Sequence, residues 1–481
     1  MAEDLLAALK TQLYLRVHGL ASLYGQKIHL DAASRHDPET REGLDGCFPK
    51  GTSLAQKFIG VAQAFVTLTT AKHIKDSISL IIGERGTTEF FMFFMFFCQN
   101  GGFPDTEVER YLRKLWGILQ QLARTTEIRD INLAQDSPPP EETSIRATLL
   151  ATLFSACYEH ISSKALQRAT KRRASVTALL DLQVPGQGQL ISRLRAIVSA
   201  GTAEGLNKAS QSLYALAGED NYQHSLDILQ EHAQKLPGAV KFNLRKWTEK
   251  VLKVPQAVAT LYAWAGSERR NGVFQRVLRL HAVPLPLAPQ IIIALADVPD
   301  DWIANSQSRA ELLSKMRNSA SGGGSEDLQI RGKLHSECVL VVWVAQNLQN
   351  EYPCTQIFPY VTCSKLHCLF CSLWLRGFNT LQNPVLPKVA FDGSHGGVNP
   401  GWLPPSLGAK AQATIFRYLT DNIQKEFRKR KHAKDLSASS TSSVPPRIGA
   451  IGGSEELEEA LDKEGETLDQ RGVASKPSPP I

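Results

Sequence analysis

The sequence predicts a large, mostly α-helical N-terminal region followed by an α/β C-terminal domain. Hydrophobic residues make up 43% of the 481 positions and charged residues 21%, which is usual for a chain with a packed core. Between Ile145 and Ile161, apolar residues recur at the spacing of an amphipathic helix. Near residue 275 this pattern gives way to short apolar runs separated by prolines, which favour strands over helices.

These patterns divide the chain into five segments. We predict a helical region over 1–130, a proline-rich linker over 131–144 and a second helical region over 145–270. A domain of alternating strands and helices is expected over 275–434. The segment 435–481 is rich in Ser, Pro and Glu and poor in apolar residues, so it is predicted to be a disordered tail.

The apolar run FFMFFMFFC at 90–98 is too short to span a bilayer. A buried strand or helix turn is the preferred interpretation, and a membrane-dipping loop is the alternative. The first residues, MAEDLLAALK, contain acids and lack the basic start of a secretory signal. We therefore expect an intracellular protein, cytoplasmic or nuclear, with no membrane partner and with reduced cysteines.

The charge balance says little about partners. A formal charge of +7 permits contact with nucleic acid but does not require it. The segment KEFRKRKHAK at 425–434 is a solvated helix end in the simplest interpretation. A nuclear localisation patch and a phosphate-binding arm are the alternatives.

Three of the eight cysteines, Cys363, Cys368 and Cys371, lie within nine positions, and His367 directly precedes the second. A plant-type iron–sulfur cluster needs a further cysteine downstream, but Cys371 is the last in the chain. Structural disulfides are rare in intracellular proteins. A zinc site is the better interpretation of the C-x-x-C pair, with Cys363 as a core residue at the end of the strand YVTC.

An H-x-E motif, His335 and Glu337, precedes this pair, and H-x-E followed by C-x-x-C is the signature of zinc-dependent base deaminases. Cys368 and Cys371 are three residues apart, so on a helix they share a face and can bind one metal. A helix N-terminus there would lower the pKa of both thiols. His335 would supply the third ligand and leave a fourth position for water. The side chain of Glu337 would point into the substrate pocket and transfer protons.

The segments LHSE (334–337), PYVTCSKLHCLFC (359–371) and FDGSHGGVNPGWLPP (391–405) resemble the OTT_1508-like deaminases, a family expanded in fungi within the cytidine deaminase-like superfamily. The resemblance implies a three-layer αβα sandwich around a mixed sheet, with H-x-E and C-x-x-C each opening a helix. It also implies a set of site residues. These are His335, Cys368 and Cys371 as ligands of Zn2+ and Glu337 as the proton shuttle.

The expected function is hydrolysis of the exocyclic amine of a nucleobase, a nucleotide or a base within nucleic acid. Zinc-held hydroxide would attack the ring carbon, and Glu337 would pass the proton to the leaving amine. For His395 and Trp402, a capping or packing role is the preferred interpretation. Substrate contact, with Trp402 stacking on a planar base, is the alternative for these two residues.

Two departures from the superfamily keep other functions open. His367 stands where proline often precedes C-x-x-C, and the run VLVVWV after Glu337 has the composition of a strand. The main alternative is a catalytically inactive deaminase-fold module that serves binding or protein interaction and holds a structural zinc. In a purely structural zinc site, His367 or Cys363 would fill the fourth position.

Overall fold

Helices account for most of the N-terminal half, and strands are gathered around one sheet. The computed structural model describes residues 2–24, 53–70, 78–86, 91–100, 105–131, 140–235 (except 172, 182 and 183), 243–294 (except 268–269), 306–319 and 327–439 (except 366, 382, 384, 387, 392, 393, 395, 396 and 400). The helices are α1 (Ala2–Tyr24), α2 (Ser53–Thr69), α3 (Asp105–Ile131), α4 (Pro140–Thr170), α5 (Arg173–Leu180), α6 (Gly188–Ser199), α7 (Ala203–Ala217), α8 (Tyr222–Lys235), α9 (Leu244–Ala265), α10 (Ser306–Ser319), α11 (Ser336–Glu351), α12 (Leu369–Phe378) and α13 (Ala409–Ser439).

Within the described residues, the strands form one five-stranded mixed sheet and two small pairs. They are β1 (Ile78–Gly86), β2 (Phe91–Gln99), β3 (Val277–Ala282), β4 (Gln290–Ala294), β5 (Asp327–Arg331), β6 (Lys333–Leu334), β7 (Gln356–Cys363), β8 (Ala390–Phe391) and β9 (Trp402–Leu403). The large sheet has the order β3-β2-β1-β7-β8, in which β1 is antiparallel to β2 and β7. The outer strands β3 and β8 run parallel to their neighbours. Strands β4 and β5 pair antiparallel, and β6 and β9 pair parallel.

The apolar run at 90–98 is strand β2, and both of its faces are buried. Phe93 faces the N-terminal helices and stacks on Trp116 of α3, with 4.9 Å between the ring centroids. Phe96 points to the opposite face and lies 5.7 Å from the ring of Trp343 in α11. Side chains of a strand alternate between faces, so a strand covered on both sides is apolar at every position. The buried-strand interpretation is confirmed, and the membrane-dipping alternative is wrong.

The large sheet is the middle layer of a three-layer αβα arrangement, as the resemblance implied. Helices α2 and α3 pack against one face of the sheet, while α11 covers β1 and β2 on the other and α12 packs on α11. Strands β1 and β2 come from the segment 1–130, which was predicted to be mostly helical. They pair with β7 and β3 from the C-terminal part, and residues Met1–Lys425 form one compact unit. The N-terminal helices therefore supply one layer of the sandwich.

The run VLVVWV, with the composition of a strand, is helical. It lies within α11, where Val339, Leu340, Val341, Val342 and Val344 are all buried. A helix that is apolar on nearly every side is stable when other elements enclose it. Enclosure between the sheet and α12 therefore outweighs the strand propensity of the β-branched residues.

Several segment boundaries differ from the sequence prediction. Helix α4 begins at Pro140, inside the predicted linker 131–144, and proline is well tolerated at the start of a helix. Helix α13 ends at Ser439, so it includes 425–434 and the first five residues of the predicted tail; the rest of the tail, 440–481, lies outside the described residues. Among the described residues, no helix combines the length and apolar character needed to cross a bilayer.

Candidate metal centre

His335 and Glu337 lie at the point where β6 leads into α11. His335 is the N-cap of α11 and has an extended backbone, with φ −108° and ψ 134°. Strand β6 runs beside β9, with Lys333 paired to Trp402, and this pairing fixes where the chain enters the helix. Glu337 lies in the first turn of α11, so the prediction that H-x-E opens a helix is confirmed.

The two cysteines of C-x-x-C open the neighbouring helix, α12. Cys368 is the N-cap, and its sulfur accepts a hydrogen bond from the backbone N–H of Cys371 at 3.4 Å. The two sulfur atoms lie 3.3 Å apart, and both side chains are buried. The cap geometry turns both sulfurs toward the same side of the helix, as the spacing predicted.

The structure brings the three predicted ligands together. Nδ1 of His335 lies 3.2 Å from the sulfur of Cys371 and 3.7 Å from the sulfur of Cys368. Tetrahedral Zn2+, with Zn–S of about 2.3 Å and Zn–N of about 2.0 Å, separates its ligand atoms by about 3.5–3.8 Å. The donor atoms are therefore arranged closely enough to fit Zn2+. A set of one imidazole and two thiols is also chemically suited to that ion.

Glu337 places its carboxylate beside this ligand set. Its side chain is 5% exposed, and Oε1 lies 3.8 Å from Nδ1 of His335. The other oxygen, Oε2, lies 3.5 Å from the hydroxyl of Ser336. That hydroxyl is 2.8 Å from the hydroxyl of Ser79 in β1. The carboxylate is thus held at the edge of the three candidate ligands, where it can exchange a proton with a group bound there.

Burial controls the protonation of the ligands. It raises the pKa of Cys368 and Cys371 well above the usual value, which overturns the expectation that the helix N-terminus lowers them. Burial also lowers the pKa of His335, but the sulfur of Cys368 and the carboxylate of Glu337 outweigh it and the net shift is upward. Without metal, the three ligands therefore hold protons that a bound cation must displace.

Burial likewise opposes ionisation of Glu337, and its neighbours reverse that effect. Burial raises the pKa of the carboxyl group, whereas the hydrogen bond with His335 and the nearby imidazole of His367 lower it below the usual range. The carboxylate is consequently ionised at neutral pH. An ionised carboxylate can accept a proton, which is what the predicted shuttle requires.

Described residues of the segment 391–405 contact the candidate ligands and the helix α12 that carries two of them. The indole N–H of Trp402 donates to the sulfur of Cys371 at 3.2 Å, and the side-chain amide of Asn399 lies 2.9 Å from Nε2 of His335. The backbone N–H of Leu369 donates to the carbonyl of Gly397 at 3.0 Å. The sequence analysis included this segment but missed Asn399, although a metal-binding histidine usually has a hydrogen-bond partner at its second ring nitrogen.

The two candidate substrate contacts have different outcomes. Trp402 is fully buried, so its ring has no exposed face on which a substrate base could stack. Its placement agrees with the preferred packing role and adds the hydrogen bond to Cys371. His395 lies outside the described residues.

Cys363 and His367 do not join the first ligand set among the described residues. Their side chains contact each other, with 3.4 Å between sulfur and Nε2, and they form a separate group with Glu337. Cys363 ends β7, as predicted from YVTC. Neither residue therefore fills the fourth position beside His335, Cys368 and Cys371.

Comparison with known proteins agrees with this geometry. A family model for OTT_1508-like deaminases (OTT_1508_deam) matches residues 334–406. Residues 334–406 are deaminase-like. The matched segment runs from the end of β6 through α11, β7 and α12 to the residues just after β9, so it contains Glu337 and the three candidate ligands, while Ser79 of β1 lies outside it. Searches of curated proteins and of solved structures gave no match.

Proposed function

We propose that the protein is a zinc-dependent deaminase that replaces an exocyclic amine of a nucleobase with a carbonyl oxygen. One observation carries the proposal: the carboxylate of Glu337 lies 3.8 Å from Nδ1 of His335, beside a group of three donors that fits Zn2+. Three protein donors leave a tetrahedral ion with one position for water, which is typical of catalytic zinc. The match of residues 334–406 to a deaminase family supports the same reaction class.

The residues divide the work of the reaction. When bound by His335, Cys368 and Cys371, zinc lowers the pKa of water at its open position. Glu337 accepts a proton from the attacking water and later delivers it to the amine, so that the carbon–nitrogen bond breaks and ammonia leaves. Ser336 orients the carboxylate through its hydroxyl. Burial of Glu337 keeps bulk water from competing for that proton.

The proposed substrate is a base with an exocyclic amine, either free, in a nucleotide or in nucleic acid. Deaminase chemistry requires the amine-bearing carbon, and the net charge of +7 is compatible with a phosphate-bearing substrate. An intracellular location is part of the proposal. It is supported by the seven described cysteines, none of which forms a disulfide, as expected in a reducing compartment.

A substrate panel tests the proposal. Zinc-loaded full-length protein is incubated with cytosine and adenine as free bases, nucleosides, nucleotides, single-stranded DNA and RNA. Mass spectrometry then follows conversion of amine to carbonyl. We expect conversion of at least one substrate and none with Cys368→Ser/Cys371→Ser. A zinc-loaded wild type that converts nothing would contradict the enzyme proposal and favour an inactive deaminase-fold binding module.

A further inference from the structure

A second group of metal-binding side chains lies next to the first. It consists of Glu337, Cys363 and His367, whose ligand atoms all lie within 4.8 Å of one another. The sulfur of Cys363 is 3.4 Å from Nε2 of His367. Zn2+ bound by a thiolate and an imidazole separates these two atoms by about 3.5 Å. The sulfur and the nitrogen are thus already spaced for one ion.

The rest of the fold holds these side chains in place. The hydroxyl of Ser394 donates to the backbone carbonyl of His367 at 3.0 Å, and the two residues form an isolated parallel bridge. The edge of the His367 ring meets Phe391, with 5.4 Å between centroids. Cys363 is fixed by the end of β7, and its sulfur lies 3.1 Å from the hydroxyl of Ser79. His367 and Glu337 are buried, and Cys363 is partly exposed, so an ion can reach the group from that side.

We propose that Cys363, His367 and Glu337 bind a second divalent cation of the zinc type. The donor set of one thiol, one imidazole and one carboxylate contains all three ligand classes that zinc uses in proteins. A thiolate disfavours magnesium and calcium, which take oxygen ligands. The site has one thiolate where the first has two, so it binds zinc more weakly and fills second.

Occupancy of the second site removes the proton shuttle. Glu337 is shared, because its carboxylate belongs to this group and also lies 3.8 Å from His335 of the first. A carboxylate that coordinates a cation cannot accept a proton from an attacking water. The second ion is therefore inhibitory, a consequence that rests on the proposed deaminase function, whereas the binding itself does not.

Metal stoichiometry tests the site without reference to activity. Metal-free full-length protein, prepared with a chelator under reducing conditions, is titrated with Zn2+ by calorimetry, and bound metal is counted after gel filtration. We expect two ions per wild-type chain in two steps of different affinity, and one ion per chain in Cys363→Ser and in His367→Gln. The matched control is Cys354→Ser, which changes an exposed cysteine and keeps two ions.

Cobalt distinguishes the two sites. The first Co2+ binds two thiolates and the second binds one, so the sulfur-to-cobalt absorption grows in two steps in the wild type. In Cys363→Ser only the first step remains. Wild type that binds a single ion, or a Cys363→Ser variant that binds two, would overturn the proposal. So would loss of both ions together from a variant whose circular dichroism is that of the wild type, because it would mean a single shared site.

Turnover provides a separate comparison. We expect zinc added beyond the first equivalent to lower deamination by the wild type but not by Cys363→Ser. Two bound ions without any deamination would contradict the proposed function and leave the second site standing. A wild type that deaminates but never binds more than one ion would contradict the second site and leave the proposed function standing.

Discussion

The indole N–H of Trp402 donates to the sulfur of Cys371 across 3.2 Å, in a part of the core where both side chains are fully buried. As a metal ligand, the sulfur of Cys371 would be negative, so the indole N–H points at a group that becomes charged. Hydrogen bonds to a charged acceptor are stronger than neutral ones, so this one stabilises the thiolate. The buried thiol of Cys338, whose pKa burial raises to about 12, also hydrogen-bonds to Cys371, and that contact instead raises the pKa of Cys371.

Trp402→Phe removes the indole N–H donor and keeps an aromatic ring. We expect zinc affinity to fall by about 10–100-fold, the usual effect of losing a hydrogen bond to a metal ligand. Competition with a chelating dye measures the change. Trp374→Phe is the matched control. Trp374 is also fully buried, but its indole nitrogen has no hydrogen-bond partner in the described part of the chain. Equal losses in the two variants would mean that packing, not the hydrogen bond, sets the affinity.

Asn399 fixes the other side of the site, since its amide lies 2.9 Å from Nε2 of His335. When Nδ1 binds metal, Nε2 carries the proton, so the amide, whose nitrogen Nδ2 faces Nε2 in the structure, must turn its oxygen toward that proton. Asn399→Ala should weaken zinc binding by about 10–100-fold, because the ring loses its orienting acceptor. Asn399→Asp keeps an acceptor and should hold zinc at least as tightly as Asn399→Ala does. The same dye competition measures the zinc affinity of both variants. If Asn399→Asp bound zinc more weakly than Asn399→Ala, the role of Asn399 as a hydrogen-bond acceptor for His335 would be refuted.

Gly401, which directly precedes β9, lies close to the backbone of β5. Its φ is +78°, and a Cβ there would lie 2.5 Å from the carbonyl oxygen of Arg331. We expect Gly401→Ala to lower the free energy of unfolding by about 1–3 kcal/mol, because the residue adopts the left-handed conformation against a close backbone oxygen. The control is Gly117→Ala in the interior of α3, where a Cβ meets nothing within 4 Å. It should instead raise stability by about 0.5–1 kcal/mol. Urea unfolding measures both.

His160 makes stability depend on pH. Its ring stacks on Tyr111 with 3.7 Å between centroids, and Nε2 lies 3.3 Å from the carbonyl oxygen of Thr69. Burial lowers the pKa of His160, against an opposing effect of the Thr69 hydrogen bond. As pH falls below about 6.5, the unfolded chain binds a proton at this residue before the folded chain does, so folded stability falls.

The variant His160→Phe isolates this effect, because other histidines titrate equally in both proteins. Between pH 7.5 and 5.5, we expect the free energy of unfolding to fall more in the wild type than in His160→Phe. Urea unfolding at the two pH values gives the comparison. An equal or larger loss in the variant would show that His160 keeps its ordinary pKa in the folded state.

Short motifs made the candidate metal ligands predictable. The resemblance carried by three short segments implied that H-x-E and C-x-x-C each open a helix, and the structure has His335 and Cys368 as the N-caps of α11 and α12. The period of side chains in a strand is local, which made the apolar run of β2 recognisable as a buried strand.

Features that depend on distant contacts could not be predicted. Strand β1 pairs with β7, nearly 280 residues further along the chain, and nothing near β1 specifies that partner. The thiol pKa values follow the complete burial of the site, which outweighs the local helix dipole. The role of Trp402 depends on the pairing of β6 with β9, which turns its ring into the core.

The most direct test of the proposed chemistry combines zinc content and deamination rate in Glu337→Gln. The substitution keeps the size of the side chain but removes its ability to take a proton. We expect the variant to retain the zinc held by His335, Cys368 and Cys371 and to lose turnover by about 10²–10⁴-fold, the usual contribution of a general acid–base. A Glu337→Gln variant that retains zinc and deaminates at the wild-type rate would contradict the assignment of Glu337 as the proton shuttle.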